Sequence, residues 1–180
     1  MLPQELLPLI LFRKFVPQNY SFFLNQALFT PLNLPPRPLK LSRNASGQTI
    51  VFDPLRGKWL VLTPEEWVRQ HTVAHLVGDL GYPAALTANE VSLRLNGRLR
   101  RCDTLVWRAG AAEPLMVVEY KAPHVAITQE TFDQIARYNM VMHARCLMVT
   151  NGLTHYCCLT EGTASRFIDH IPSYSELLGR

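Results

Sequence analysis

From Gln48 onward the chain breaks into short apolar runs separated by turn residues, and two longer stretches repeat their apolar positions at helical spacing. TIVFD and, after the turn-like PLRGK, WLVLT have the length and content of strands. In TPEEWVRQHTVAHLVGDLGY, Trp67, Val68, His71, Ala74 and Val77 or Leu80 recur with a helical period. Thr63 suits the cap of this helix, Pro64 its first position and Gly81 its end. EVSLRL, Asn96-Gly97 and RLRRCDTLVW form a hairpin, because Asn-Gly supplies the positive φ angles of a type I′ turn. A loop through Gly110 leads into the strand PLMVVEYKA, and TQETFDQIARYNMVM is a second helix capped by Thr128. RCLMVTNG and THYCCLT are further strands, and the remainder of the chain reads as edge and tail. The order β-β-α-β-β-β-α-β-β predicts an α/β fold: a mixed central sheet flanked by helices.

Seven of the 13 prolines fall within the first 40 residues, which prevents long regular structure there. Residues 1–40 are therefore expected to be an arm or leader, partly disordered, and residues 41–180 the folded domain. The apolar patch LLPLILF is too short for a membrane span, is broken by Pro8 and lacks the basic flank of a secretory signal. With 48% hydrophobic and 18% charged residues and a mean hydropathy of +0.02, the composition is that of a soluble globular protein. Cys102, Cys146, Cys157 and Cys158 show neither CxxC spacing nor a disulfide framework, so they are expected as reduced thiols of a cytoplasmic protein. The net charge of +4 and pI near 9.0 are compatible with a polyanionic partner without requiring one. Arg94, Arg98, Arg100 and Arg101 crowd the hairpin, as a solvated face or a phosphate-binding one.

Candidate chemistry centres on VVEYKAP, where an apolar run ends in two charges. Leu115, Val117, Glu119 and Lys121 share one side of a strand, with the charges roughly 6.5 Å apart along it. If the loop is centred on Ala111, Trp107 faces Leu115, Leu105 faces Val117 and Asp103 faces Glu119. The Asn96-Gly97 turn, treated the same way, sets Glu90 opposite Asp103 on the other side. Acids held this close share a proton or bind a cation, and an oxygen-only set favours Mg²⁺, with Mn²⁺ as a substitute. Lys121 would then orient or activate water and stabilise charge developing on a phosphate. A plain salt bridge from Glu119 to Lys121 or Arg101 is the simpler reading of the tripeptide.

Gln134 and Tyr138 are four apart in DQIARY and share a helix face. Glu66 occupies the third position of a Thr-x-x-Glu capping box, or points over the sheet toward a metal-bound water; Glu65 sits a helical step away. His71 and His75, spaced four apart without a third ligand, read as packing. His124 follows Lys121 in a loop, and no Ser or Cys occupies a nucleophile elbow.

Asp103, Glu119-Tyr120-Lys121 and Gln134-x-x-x-Tyr138, carried in that order on strand, strand and helix, resemble the PD-(D/E)XK nucleases. More narrowly, VLTPEEWVRQ, RCDTLVW, VVEYKAP, TQETFDQIARYN and MVTNGLTHYCC resemble the N-terminal nuclease domain of type I restriction enzyme R subunits. The resemblance implies a restriction-endonuclease-like core and Mg²⁺-dependent hydrolysis of DNA phosphodiesters. By position it implies Asp103 and Glu119 as metal ligands, Lys121 serving the water, Glu66 as an acid from the first helix, and Gln134 with Tyr138 as supporting residues. Arg100 and Arg101 join these as backbone contacts to DNA, and Glu90 as an additional acid. Tyr120 stands where the pattern leads one to expect a smaller residue, with its side chain facing away from the acids. With no helicase or translocase region in the sequence, a domain acting alone, or with a motor or specificity subunit in trans, is expected. A nuclease-fold DNA- or protein-binding module without chemistry is the alternative.

Overall fold

The computed structural model describes residues 29–95, 98–162 and 164–179, without the side chains of Leu93, Leu95, Arg98, Arg100 and Tyr138. The domain running from Leu32 begins with three short antiparallel strands, β1 (Leu41–Arg43), β2 (Thr49–Asp53) and β3 (Lys58–Val61), which form a sheet of their own. Helix α1 (Pro64–Gly78) and a 3₁₀ turn (Ala84–Leu86) lead into β4 (Thr87–Leu95), β5 (Arg98–Trp107) and β6 (Pro114–Tyr120). Helix α2 (Gln129–Met142) crosses to β7 (Cys146–Thr150), followed by β8 (His155–Glu161), β9 (Ala164–Ile168) and α3 (Tyr174–Leu178). The second sheet has six strands in the order β4-β5-β6-β7-β8-β9, antiparallel except for the parallel pair β6–β7 that α2 connects.

The expected mixed sheet flanked by helices is thus present, and the additions to it arise from weak local signals. Strand β1 is three residues long, pairs Leu41, Ser42 and Arg43 with Val51, Ile50 and Thr49, and leaves Ser42 and Arg43 exposed. Strand β9 lies at the sheet edge with Phe167 63% exposed, so it carries no apolar face to announce it. Helix α3 is short but does have a sequence signature, the Ser173–Glu176 capping box, and it buries Tyr174 and Leu177. Thr63 caps α1 and Pro64 opens it, as expected, but the helix ends at Gly78, before the predicted Gly81. Gly81 instead takes a positive φ of 72° in the turn that delivers buried Tyr82, whose hydroxyl donates to the carbonyl of Pro172. The Asn96-Gly97 turn lies outside the described residues, but Leu95 pairs with Arg98 across it, the register a two-residue loop imposes.

Strands β6 and β7 are buried throughout, apart from Pro114 at the start of β6, which is why they read as continuous apolar runs. Their alternate side chains feed two cores. On one face Val68 and Leu76 of α1 pack with Val106, Met116, Val118 and Tyr120. On the other Ile135 of α2 packs with Leu105, Val117, Leu147 and Val149. All four cysteines are buried and unpaired within strands. Among the described residues no helix is long and apolar enough to cross a membrane.

Residues 32–40, placed with the arm on sequence grounds, pack with the domain. The Asn33 N–H donates to the Gly152 carbonyl at 2.7 Å, His155 Nε2 bonds the Asn33 carbonyl, and Arg37 pairs with Asp79. Gly152 has φ +81°, and a Cβ there would meet Leu32 Cδ2 at 2.6 Å. Gly152→Ala is therefore expected to cost about 1–3 kcal/mol of strain or more, read as a shift in denaturant midpoint. Gly47→Ala, also at positive φ but with nothing within 4 Å, should cost less; equal losses would refute the steric account.

Candidate active site

Three strand positions converge at one end of the six-stranded sheet. Thr104 pairs with Val118 and Leu105 with Val117, a register that continues to bring Asp103 opposite Glu119. The expected centring on Ala111 holds as far as Val106–Met116; a bulge then pairs Trp107 with Pro114 instead of Leu115. On the other flank Asn89 pairs with Thr104 and Val91 with Cys102, leaving Glu90 opposite Asp103 as the turn arithmetic requires. Glu90 is out of the ladder, with φ +61°, an uncommon conformation for a glutamate in a strand. Beyond Thr104 an Asp103 side-chain oxygen takes up the next ladder donor: Tyr120 N–H donates to Asp103 Oδ2 at 2.9 Å.

Glu119 is 6% exposed, and its Oε1 accepts from Lys121 Nζ at 3.0 Å and from Gln134 Nε2 of α2 at 2.9 Å. Burial, and next the charge of Asp103, push its carboxyl up to about 7 against the opposing pull of Lys121. Burial likewise raises Asp103, and Glu90 adds to it, while the Tyr120 N–H and Arg69 pull the other way. Burial acts to lower Lys121, but its bond to Glu119 and the nearby acids outweigh this and raise it, so the amine is a cation at neutral pH. In that state Lys121 donates to, and neutralises, whatever it faces.

The first helix contributes differently from expectation. Thr63 Oγ1 accepts the Glu66 N–H, but the Glu66 carboxylate does not close the capping box. It accepts instead from Arg56 at 2.9 Å, Arg69 at 3.1 Å and Gln70 at 2.8 Å. Glu65, whose side chain is 45% exposed, is the helix acid in the electrostatic field of the strand pair. Burial and then Asp103 raise it, while Arg69 and Lys121 lower it. The cation that ties these groups together, Arg69, was not singled out from sequence. It pairs with Glu65, Glu66, Glu90 and Asp103. Its i,i+4 spacing from Glu65 and i,i+3 spacing from Glu66 were the available signals.

Arg101 is exposed and pairs with Glu90, not Glu119, so the salt bridge Glu119 makes is the one to Lys121. The side chains of Arg100 and Tyr138 lie outside what the structure describes. The Tyr120 side chain leaves the sheet on the α1 face, turned away from Glu119 but not from the acids around Arg69; it is fully buried, its hydroxyl donates to Thr104 and its ring lies 5.4 Å from the Arg69 guanidinium. His71 is buried against Trp67 and His75 bonds Asp79, so neither joins the site. Among the described residues no three acidic, histidine or cysteine side chains are grouped to hold a metal ion. Mg²⁺ asks for less, one or two protein carboxylates with water and phosphate completing its shell. Asp103 and Glu119 fit that demand, since their shared burial and repulsion are what a cation would relieve.

A mixed sheet covered on both faces, with an acid pair and a lysine at the end of two neighbouring strands, is a restriction-endonuclease-like core. The sequence matches the family described as Type I restriction enzyme R protein N terminus over residues 64–172, more than half of the chain, and the chain belongs to that family. A solved structure of a fragment described as a putative HsdR subunit of a type I restriction enzyme from Vibrio vulnificus YJ016 superposes with a TM-score of 0.50. The sequences are 16% identical, and the match covers 66% of this chain and 25% of that one, a likeness of fold. No curated protein matches.

The Glu119 shift has a sign that can be checked. Its carboxyl moves from 4.5 to about 7 on folding, so between those values the native state holds a proton that the unfolded chain has lost. Its contribution to stability therefore falls as pH rises from about 4.5 to about 7 and is constant above. In urea denaturation with EDTA present, Glu119→Gln should gain on the wild type across that window. A difference between the two that does not change with pH would show that folding does not raise the Glu119 carboxyl.

Proposed function

We propose that this chain is a Mg²⁺-dependent DNA endonuclease domain that hydrolyses phosphodiester bonds, with a nuclease role in restriction. The observation that carries the reading is the convergence of Asp103 and Glu119 from antiparallel strands with Lys121 bonded to Glu119. Asp103 and Glu119 would hold the ion, with Glu65 as the acid from α1, since the Glu66 carboxylate is engaged by Arg56, Arg69 and Gln70. When bound, Mg²⁺ supplies polarisation of the phosphoryl oxygen and a more acidic water. Lys121, a cation 3.0 Å from Glu119, orients the attacking water by donating to it and stabilises negative charge developing on the phosphate. Gln134 fixes the Glu119 rotamer from α2. Arg101 and its neighbour Arg100 on the β4–β5 hairpin serve the DNA backbone, so binding weakens steeply with salt and shows little sequence preference. The family to which the chain belongs is described as the N terminus of the type I restriction enzyme R protein, which supports a nuclease role with DNA as substrate; a cytoplasmic location and a motor or specificity subunit in trans are part of the same proposal.

One observation favours the rival reading, a nuclease-fold binding module without chemistry: Asp103 is already paired with Arg69 and with the Tyr120 N–H. Metal uptake separates the two, because a binding module has no need of Mg²⁺ at Asp103. The decisive assay is nicking of supercoiled plasmid with Mg²⁺ or Mn²⁺. Wild type is expected to nick, and Lys121→Ala to lose roughly a hundredfold or more in rate. No nicking by wild type, or nicking that survives Lys121→Ala, rejects the enzyme reading.

A further inference from the structure

Arg69 is a guanidinium on α1, 4% exposed, in ion-pair contact with four carboxylates: Glu90 at 2.6 Å, Glu66 at 3.1 Å, Asp103 at 3.2 Å and Glu65 at 3.5 Å. Its Nε finds no hydrogen-bond partner among the described residues, so its polar contacts are all directed at these acids through its two terminal nitrogens. The Tyr120 ring backs it at 5.4 Å, and Tyr120 is itself fixed by its hydroxyl on Thr104. Asp103 is the acid common to both halves of the cluster: Oδ1 faces Arg69 and the residue stands opposite Glu119. Two-metal phosphodiester sites set their ions roughly 3.5–4 Å apart and neutralise a dense group of carboxylates with two dications. Here the carboxylates on the α1 side of Asp103 already have guanidinium counter-ions, which cannot be deprotonated: Arg56 on Glu66 and Glu90, Arg101 on Glu90, and, among the described residues, Arg69 as the one paired with Asp103 itself. A second dication would have to approach Asp103 from the side held by a fixed positive charge.

We propose that Arg69 stands in for a second metal ion, so that the site takes up a single divalent cation, at Asp103 and Glu119. Arg69 is in this sense a positioning residue: it orients Asp103 and sets the number of ions, without touching substrate. The inference rests on the metal-dependent reading above. Its test is calorimetric titration of the full chain with Ca²⁺, checked by Mn²⁺ paramagnetic resonance.

Wild type is expected to bind one ion, and so is Arg69→Lys, which keeps the charge. Arg69→Met is expected to bind two ions and to gain more in thermal midpoint on addition of Ca²⁺ than wild type does. Two ions on wild type, or one ion on an Arg69→Met protein that folds, overturn the inference while leaving the metal reading intact. No ion on wild type removes both. Should Arg69→Met fail to fold even with Ca²⁺, Arg69→Gln, which removes the charge and keeps a hydrogen-bonding group, takes its place: two ions are expected, and one ion overturns the inference. A purely structural arginine would change the midpoint but not the number of ions.

Discussion

The enforced closeness of Asp103 and Glu119 is the constraint around which the domain is arranged. Strand register brings the two acids opposite each other, Glu119 buried and Asp103 largely so. An uncompensated carboxylate in such a place costs several kcal/mol, so the surrounding elements supply compensation from three directions. Arg69 reaches Asp103 from the helix on one face of the sheet, Gln134 reaches Glu119 from the helix on the other, and Lys121 reaches it from the end of the same strand. Both helices are therefore tied to the acid pair as well as to the apolar cores beneath them.

The register was legible in the sequence because two connections are short and strands alternate with a fixed period. A two-residue turn after Leu95 and a compact loop after Trp107 leave little freedom, and the arithmetic carries through Leu105–Val117 to the acids. It slips at Trp107, where the bulge lies, since an extra residue in a ladder leaves no mark on an apolar pattern. The same limit hid the conformation of Glu90. Its position opposite Asp103 comes from counting, but the positive φ that frees it from the ladder to meet Arg69 and Arg101 depends on tertiary partners. The three-stranded sheet apart from the main one was likewise invisible, because its strands carry strand-like residues without saying which sheet they join.

Helix α1 shows the reverse problem, too many local signals. Thr63, Pro64 and Glu66 spell a capping box, and the cap bond to the Glu66 N–H does form. The Glu66 carboxylate nonetheless leaves the box for the partly buried Arg56 and the buried Arg69, since two guanidinium groups attract it more strongly than one backbone N–H. Arg69 itself escaped notice because a helical-period reading sorts apolar positions and treats an arginine between them as solvent-facing. Its burial makes sense only once Glu90 and Asp103 are brought in from distant strands.

Tyr120 shows how the site and the rest of the domain are joined. Its hydroxyl donates to Thr104, whose hydroxyl donates to Asn89, whose amide donates to Asp53, where Arg56 also pairs. This buried path runs from β6 through β5 and β4 to the small sheet, and Arg56 closes it back onto Glu66 of α1. Buried polar chains of this kind are stabilising only when every member is satisfied. Here each link is made, so the three-stranded sheet, which shares no ladder with the main one, is held to it by polar bonds as well as packing. A smaller residue at position 120 would remove both the anchor of that path and the aromatic face beneath Arg69. The bulk that departs from the expected pattern thus serves the acids from behind, through the cation it supports.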